Sequence, residues 1–231
     1  EQEPDRFLAS YVQTYLREEV LQEGLTRSLT AFSRFLETAS YSQASILNVA
    51  DLARDVGLER RTVANYFDLV EDLLLAVRIP PFARRGRRRL TSHPKFYFFD
   101  AGVYRQLRPK GPLDRPEEIE GAALETLVLQ ELRAVSEYAG LGYTFFHWRT
   151  AAGAEVDVVA YGPKGLLAFE VKRSGRVSRR DAAALALFKS DYPEARCFLL
   201  YGGDRRLYWP EAEVWPVDEA LRQLRSLIAP A

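Results

Sequence analysis

The chain has 231 residues, 47% hydrophobic and 28% charged, with 32 Lys/Arg balanced by 32 Asp/Glu. That composition excludes a disordered tail, a collagen-like repeat and a disulfide scaffold, the last because Cys197 is the single cysteine. No apolar run reaches the roughly 18 residues a membrane span needs and no secretory signal opens the chain, so a reducing, cytoplasmic setting is expected. Methionine is absent, even at the first position, which points to a fragment of a longer protein.

In chain order, residues 5–23 read as an amphipathic helix, with Phe7, Leu8, Tyr11, Tyr15, Leu16 and Val20 at three- and four-residue spacing, stopped by Gly24. A second helix is predicted over about 26–38. Asn48 caps a short third helix that Gly57 ends, and a fourth runs over about 59–72. Two short helices about a glycine turn fit a helix-turn-helix, with Arg60, Arg61, Thr62 and Asn65 near the start or on the outer face of the second. Strands over 73–80 and 95–99 would flank an arginine-rich loop, which outlines a winged helix with a basic wing.

Charge is unevenly spread. Residues 1–75 carry a net −6, residues 76–110 a net +9 and residues 111–231 a net −3. The densest part of the basic block is Arg84, Arg85, Arg87, Arg88 and Arg89. Such a cluster is either a solvated loop or a surface for a polyanion or an acidic partner.

Residues 111–118 carry turn signals and read as a linker, giving a domain over 1–110 and another over 111–231. The second begins with a long helix, about 116–138. Strands follow over 143–148, 154–161 and 166–171, then a helix over 178–192 and a strand over 197–201. A hairpin-like stretch and a helix over 218–228 finish the chain. Helix, three strands, helix, strand predicts a compact α/β (α+β) domain with a central mixed sheet flanked by helices.

The chemistry concentrates in Glu155-Val-Asp157 and Glu170-Val-Lys172. Strand alternation puts Glu155 with Asp157 and Glu170 with Lys172, while Val156, Val158, Phe169 and Val171 turn into the core. A hairpin through the Gly162–Gly165 turn brings Asp157 beside Glu170. Two neighbouring carboxylates repel, and a hard cation such as Mg²⁺ or Mn²⁺ relieves that repulsion. Lys172 beside it would suit metal-assisted attack of water on a phosphodiester. The competing reading is a salt bridge of Lys172 with one of the acids at a sheet edge.

The Asp157–Glu170 spacing, the Gly-Pro turn and the preceding helix resemble the core of the PD-(D/E)xK nuclease superfamily. That resemblance implies a first acid from the helix. Glu125 in Glu125-Thr-Leu-Val-Leu-Gln-Glu-Leu matches it, and Glu131 is the competing candidate. Further segments occur in order: Ala50-Asp-Leu-Ala-Arg-Asp-Val-Gly, Val70-Glu-Asp-Leu-Leu-Leu, Pro94-Lys-Phe-Tyr-Phe-Phe-Asp-Ala-Gly and His147-Trp-Arg. Together they resemble the C-terminal half of prokaryotic AAA-type ATPases whose tail is a DUF4143 domain. The resemblance implies a winged helix, a restriction-endonuclease-like domain and an ATPase module as partner. No G-x-x-x-x-G-K-[ST] occurs, so this chain is not expected to hydrolyse ATP.

The resulting expectation is a metal-dependent nuclease acting on DNA, with Glu125, Asp157 and Glu170 as metal ligands and Lys172 as their catalytic companion. Arg60, Arg61, Thr62 and the five block arginines would hold nucleic acid. Arg149 and Arg173 either hold a phosphate or pair with Glu155. The alternative is a catalytically silent DNA- or protein-binding module that assembles the parent ATPase, self-association included. His93 and His147 are too few for a zinc site, Asp100 reads as a helix cap, residues 174–178 as a loop beside the site, and Cys197 as core.

Overall fold

A computed structural model describes residues 2–15, 28–83 and 90–229. Contacts divide the chain into two units, Glu1–Arg78 with Lys95–Thr126 and Ile79–Pro94 with Leu127–Ala231. The division is discontinuous, unlike the boundary at 110/111 drawn from the linker signals. The physical reason lies in residues 79–94. Pro81 bridges His147, Leu90 bridges Thr150, and Phe82 N–H donates to the His147 carbonyl at 2.7 Å, so this excursion belongs with the second sheet.

In the first unit, α1 (Gln2–Ser10) runs into a π-helical turn (Tyr11–Tyr15). The rest of the predicted first helix, from Leu16 to Gly24, lies outside the described residues. α2 (Leu29–Ser40) starts at Ser28, whose hydroxyl accepts from Ala31 N–H. β1 (Ser45–Ile46), α3 (Val49–Val56) and α4 (Arg60–Asp72) follow. Asn48 caps α3 through Ala50 N–H and Asp51 N–H. Gly57 ends it at φ 71°, a left-handed conformation that costs glycine nothing. β2 (Ala76–Ile79) and β3 (Lys95–Phe98) complete a three-stranded sheet in the order β1-β3-β2. Asp100 caps α5 (Ala101–Leu107) by accepting from Val103 N–H, as its turn position predicts. Phe32, Phe35, Tyr66, Phe67 and Phe96 interlock at ring separations of 4.9–5.8 Å and form the centre of this core.

Four of the described basic residues of 76–110 are paired with acids. Arg78 pairs with Asp68 and Glu71, Lys95 with Glu125, Arg105 with Glu120, and Arg108 with Asp114. The counter-charges of these four come from outside residues 76–110, which a window count cannot register. Arg84, Arg85, Arg87, Arg88 and Arg89 lie outside the described residues.

α6 (Pro116–Tyr138) supplies both units, the division falling between Thr126 and Leu127. The second unit continues with β4 (Thr144–Arg149), β5 (Glu155–Gly162) and β6 (Gly165–Lys172), an antiparallel set. A 3-10 turn (Arg179–Ala182) and α7 (Ala183–Asp191) carry the chain back to β7 (Arg196–Tyr201), parallel to β6 as a helical crossover allows. β8 (Leu207–Tyr208) and β9 (Glu213–Pro216) extend the sheet to six strands in the order β4-β5-β6-β7-β9-β8. Two short helices, α8 (Val217–Arg222) and α9 (Leu224–Ile228), replace the single predicted last helix, the break falling at Gln223. Cys197 to Tyr201 are all buried, the mark of a strand covered on both faces. Among the described residues no helix is long and apolar enough to cross a membrane.

Cys197 sits in that strand, and burial pushes its thiol from 9.0 up to about 11. The folded value lies above the unfolded one, so the stability linked to the neutral thiol is intact below pH 9 and is lost as pH rises towards about 11. Iodoacetamide at pH 8 is expected to leave Cys197 unmodified in the native chain and to label it fully in urea. Equal labelling in both would show the thiol to be accessible.

Candidate functional site

The second unit brings Asp157, Glu170 and Lys172 to one end of the β5–β6 pair. The β5–β6 ladder runs from Gly162–Gly165 to Val158–Phe169, and Asp157 and Glu170 are the next residues beyond its last pair. On the other side of β5, Phe146 pairs with Val159 and Trp148 with Val156, so Asp157 and Val158 both stand opposite His147. That is a β-bulge, the device that re-aims side chains next to functional sites. It breaks the strict alternation expected over Glu155–Val158. Val156 joins Val159 in the core cluster that holds Leu166 and Ala168, a three-residue spacing that a regular strand forbids.

Where the ladder ends, Val171 N–H donates to Asp157 Oδ2 at 2.9 Å. The carboxylate thus supplies on that side of β6 the acceptor that a strand carbonyl no longer offers. Asp157 is 8% exposed and Glu170 6%, which for carboxylates requires partners. Lys172 Nζ donates to Glu170 Oε1 at 2.6 Å while its own side chain stays 37% exposed. The ammonium therefore reaches from the surface onto a buried acid.

Glu125 is held in the first unit. Its Oε1 accepts from Lys95 Nζ at 2.7 Å and from Tyr97 hydroxyl at 2.5 Å, both on β3. Lys95 is 1% exposed, an extreme for a lysine, and its side chain is therefore part of the core as well as a counter-ion. Glu131 is partly exposed and lies in the second unit. Among the described residues no group of three or more His, Cys, Asp or Glu is arranged to hold a metal ion. The pairing of Glu125 was missed from sequence, although a lysine inside Pro94-Lys-Phe-Tyr-Phe-Phe was its signal.

Arg149 resolves towards Glu155: the two face each other across β4 and β5, with Nη1 donating to Oε2 at 2.8 Å. Arg173, Arg60, Arg61 and Asn65 are exposed, and Thr62 is half-buried. His147 is buried, with Nε2 3.0 Å from the His93 carbonyl oxygen.

Residues 120–220 match the family described as Domain of unknown function (DUF4143), and residues 1–114 match Domain of unknown function (DUF8612). The chain carries a DUF4143 domain preceded by a DUF8612 domain. Uncharacterized proteins of Mycobacterium bovis and Mycobacterium tuberculosis are each 28% identical over 218 residues, covering 91% of this chain and 47% of theirs. The chain spans about half the length of these relatives. No solved structure matches.

Proposed function

We propose that the DUF4143 domain is a PD-(D/E)xK-type module that hydrolyses phosphodiester bonds of DNA with Mg²⁺ or Mn²⁺. The observation that carries this reading is the pair of buried carboxylates, Asp157 and Glu170, where β5 and β6 part, with Lys172 on Glu170. Supporting it, α6, the antiparallel β4-β5-β6, α7 and the parallel β7 follow the helix-and-strand order of that superfamily's core.

The donor chemistry fits the ion. Asp157 and Glu170 offer hard oxygens of the kind Mg²⁺ and Mn²⁺ take, whereas Glu125 is held by Lys95 and Tyr97 within the first unit. Bound there, the metal would lower the pKa of a coordinated water and offset charge on a phosphoryl oxygen. Asp157 and Glu170 would hold the ion, Lys172 would place positive charge at the reacting phosphate, and the Asp157–Val171 hydrogen bond would fix the first carboxylate.

For the first unit we propose a winged helix. The order α2-β1-α3-α4-β2-β3 with sheet order β1-β3-β2 supports it, as do Arg60, Arg61 and Asn65 on the exposed side of α4. The fuller assembly would include an AAA-type ATPase module as partner, an idea that the 47% coverage of the relatives leaves room for.

A second reading, a silent DNA- or protein-binding module, is favoured by one observation: Glu125 is already engaged by Lys95 and Tyr97. Asp157→Asn separates the two. Asparagine keeps an oxygen to accept from Val171 N–H, so the fold is expected to survive, while cleavage of plasmid DNA in Mn²⁺ is expected to fall by about 10³-fold. Wild type and variant that nick plasmid equally would end the hydrolytic reading.

A further inference from the structure

We infer that residues 173–180, the loop after Lys172, form a preformed clamp for a phosphodiester backbone, with Arg173, Arg176 and Arg180 as its contacts. This rests on the hydrolytic reading and adds how the site would hold its substrate. The eight residues contain four arginines and no acid. Arg173, Arg176, Arg179 and Arg180 are all exposed. Arg179 is engaged by Glu211 at 3.1 Å, whereas the other three guanidinium groups have no acidic partner among the described residues. Asp204, two residues beyond Gly202, lies 4.0 Å from its own neighbour Arg205.

The loop holds these charges on a fixed backbone. Gly202 N–H is shared between the carbonyls of Lys172 (3.0 Å) and Ser174 (3.1 Å), which ties the loop to the end of β7. A Cβ at Gly202 would stand 2.3 Å from the Arg173 carbonyl oxygen, so only glycine permits this approach. Ser174 hydroxyl donates to the Arg176 carbonyl at 2.7 Å and accepts from Arg176 N–H at 3.1 Å. At the far end Asp181 accepts from Ser178 N–H and hydroxyl, and Ala182 is fully buried. Three like charges within eight residues repel one another in the empty chain, and that cost is returned when phosphates bind and release their counter-ions. Guanidinium forks suit phosphate oxygens, and the loop begins one residue after Lys172.

The test is fluorescence anisotropy of labelled single-stranded DNA, duplex DNA and RNA of equal length, with the 231-residue chain in EDTA across a NaCl series. The triple variant Arg173→Ala/Arg176→Ala/Arg180→Ala is expected to bind its preferred strand at least about tenfold more weakly, with the log–log salt slope on duplex DNA reduced by about 2–3. The preferred probe names the source of the backbone. A control variant removing equal charge elsewhere, Arg133→Ala/Arg222→Ala/Arg225→Ala, is expected to change the slope little. An unchanged slope in the first variant, an equal fall in the control, or wild-type chain that binds none of the probes overturns the clamp. The hydrolytic reading fails separately, when Asp157→Asn cuts as well as wild type while the arginine variant still loses affinity.

Discussion

Lys95→Met is expected to lower the unfolding free energy by about 3–5 kcal/mol, read from urea denaturation, because it strands a carboxylate that the fold holds against an ammonium. Lys95 is 1% exposed and Glu125 13%, so little water is available to replace the lost charge. Methionine keeps the unbranched stem and leaves packing nearly intact, which confines the effect to the charge. Adding Glu125→Gln should recover most of the loss, since glutamine still accepts from Tyr97 hydroxyl and no longer needs a cation. A single Lys95→Met variant losing under about 1 kcal/mol would show that Glu125 is neutralised by other means.

Lys172→Ala is expected to reduce Mn²⁺-dependent cleavage by about 10²–10³-fold, the size of effect seen when one group facing developing charge is removed. Calorimetric titration should give a Mn²⁺ affinity similar to or tighter than that of the wild type, because the carboxylates remain and Glu170 loses its competing ammonium. A structural salt bridge makes a different forecast. Losing Lys172 would then lower stability by about 1–3 kcal/mol, through the buried acid it leaves, with no activity to change. Loss of cleavage with metal binding retained separates the two readings.

The elements themselves were largely legible. The α6 bounds, the Asn48 cap, the Gly57 stop and the Asp100 cap follow from signals within a few residues of where they act. The hairpin was legible as well, since the Gly162–Gly165 turn fixes its register and therefore brings Asp157 next to Glu170. Three features were not. The bulge at Asp157 and Val158 shows only in the pairing with β4: Val156 and Val158 are both buried as expected, but alternation counted along β5 cannot show that Val156 shares its cluster with Val159. The Lys95–Glu125 pair joins residues thirty positions apart, and Arg105 meets Glu120 fifteen positions away. The last helix divides at Gln223, which no proline or glycine announces.

Local chemistry in the sequence therefore determined which segments became helices and strands, and placed two acids and a lysine on adjoining strand ends. Only the tertiary structure decided which charges are already satisfied. Ion pairing depends on distance in space, and a buried charge must take whichever partner the fold brings within hydrogen-bond reach. That is why Arg149 met Glu155 and Glu125 met Lys95, while Arg173, Arg176 and Arg180 stayed exposed in the loop after Lys172.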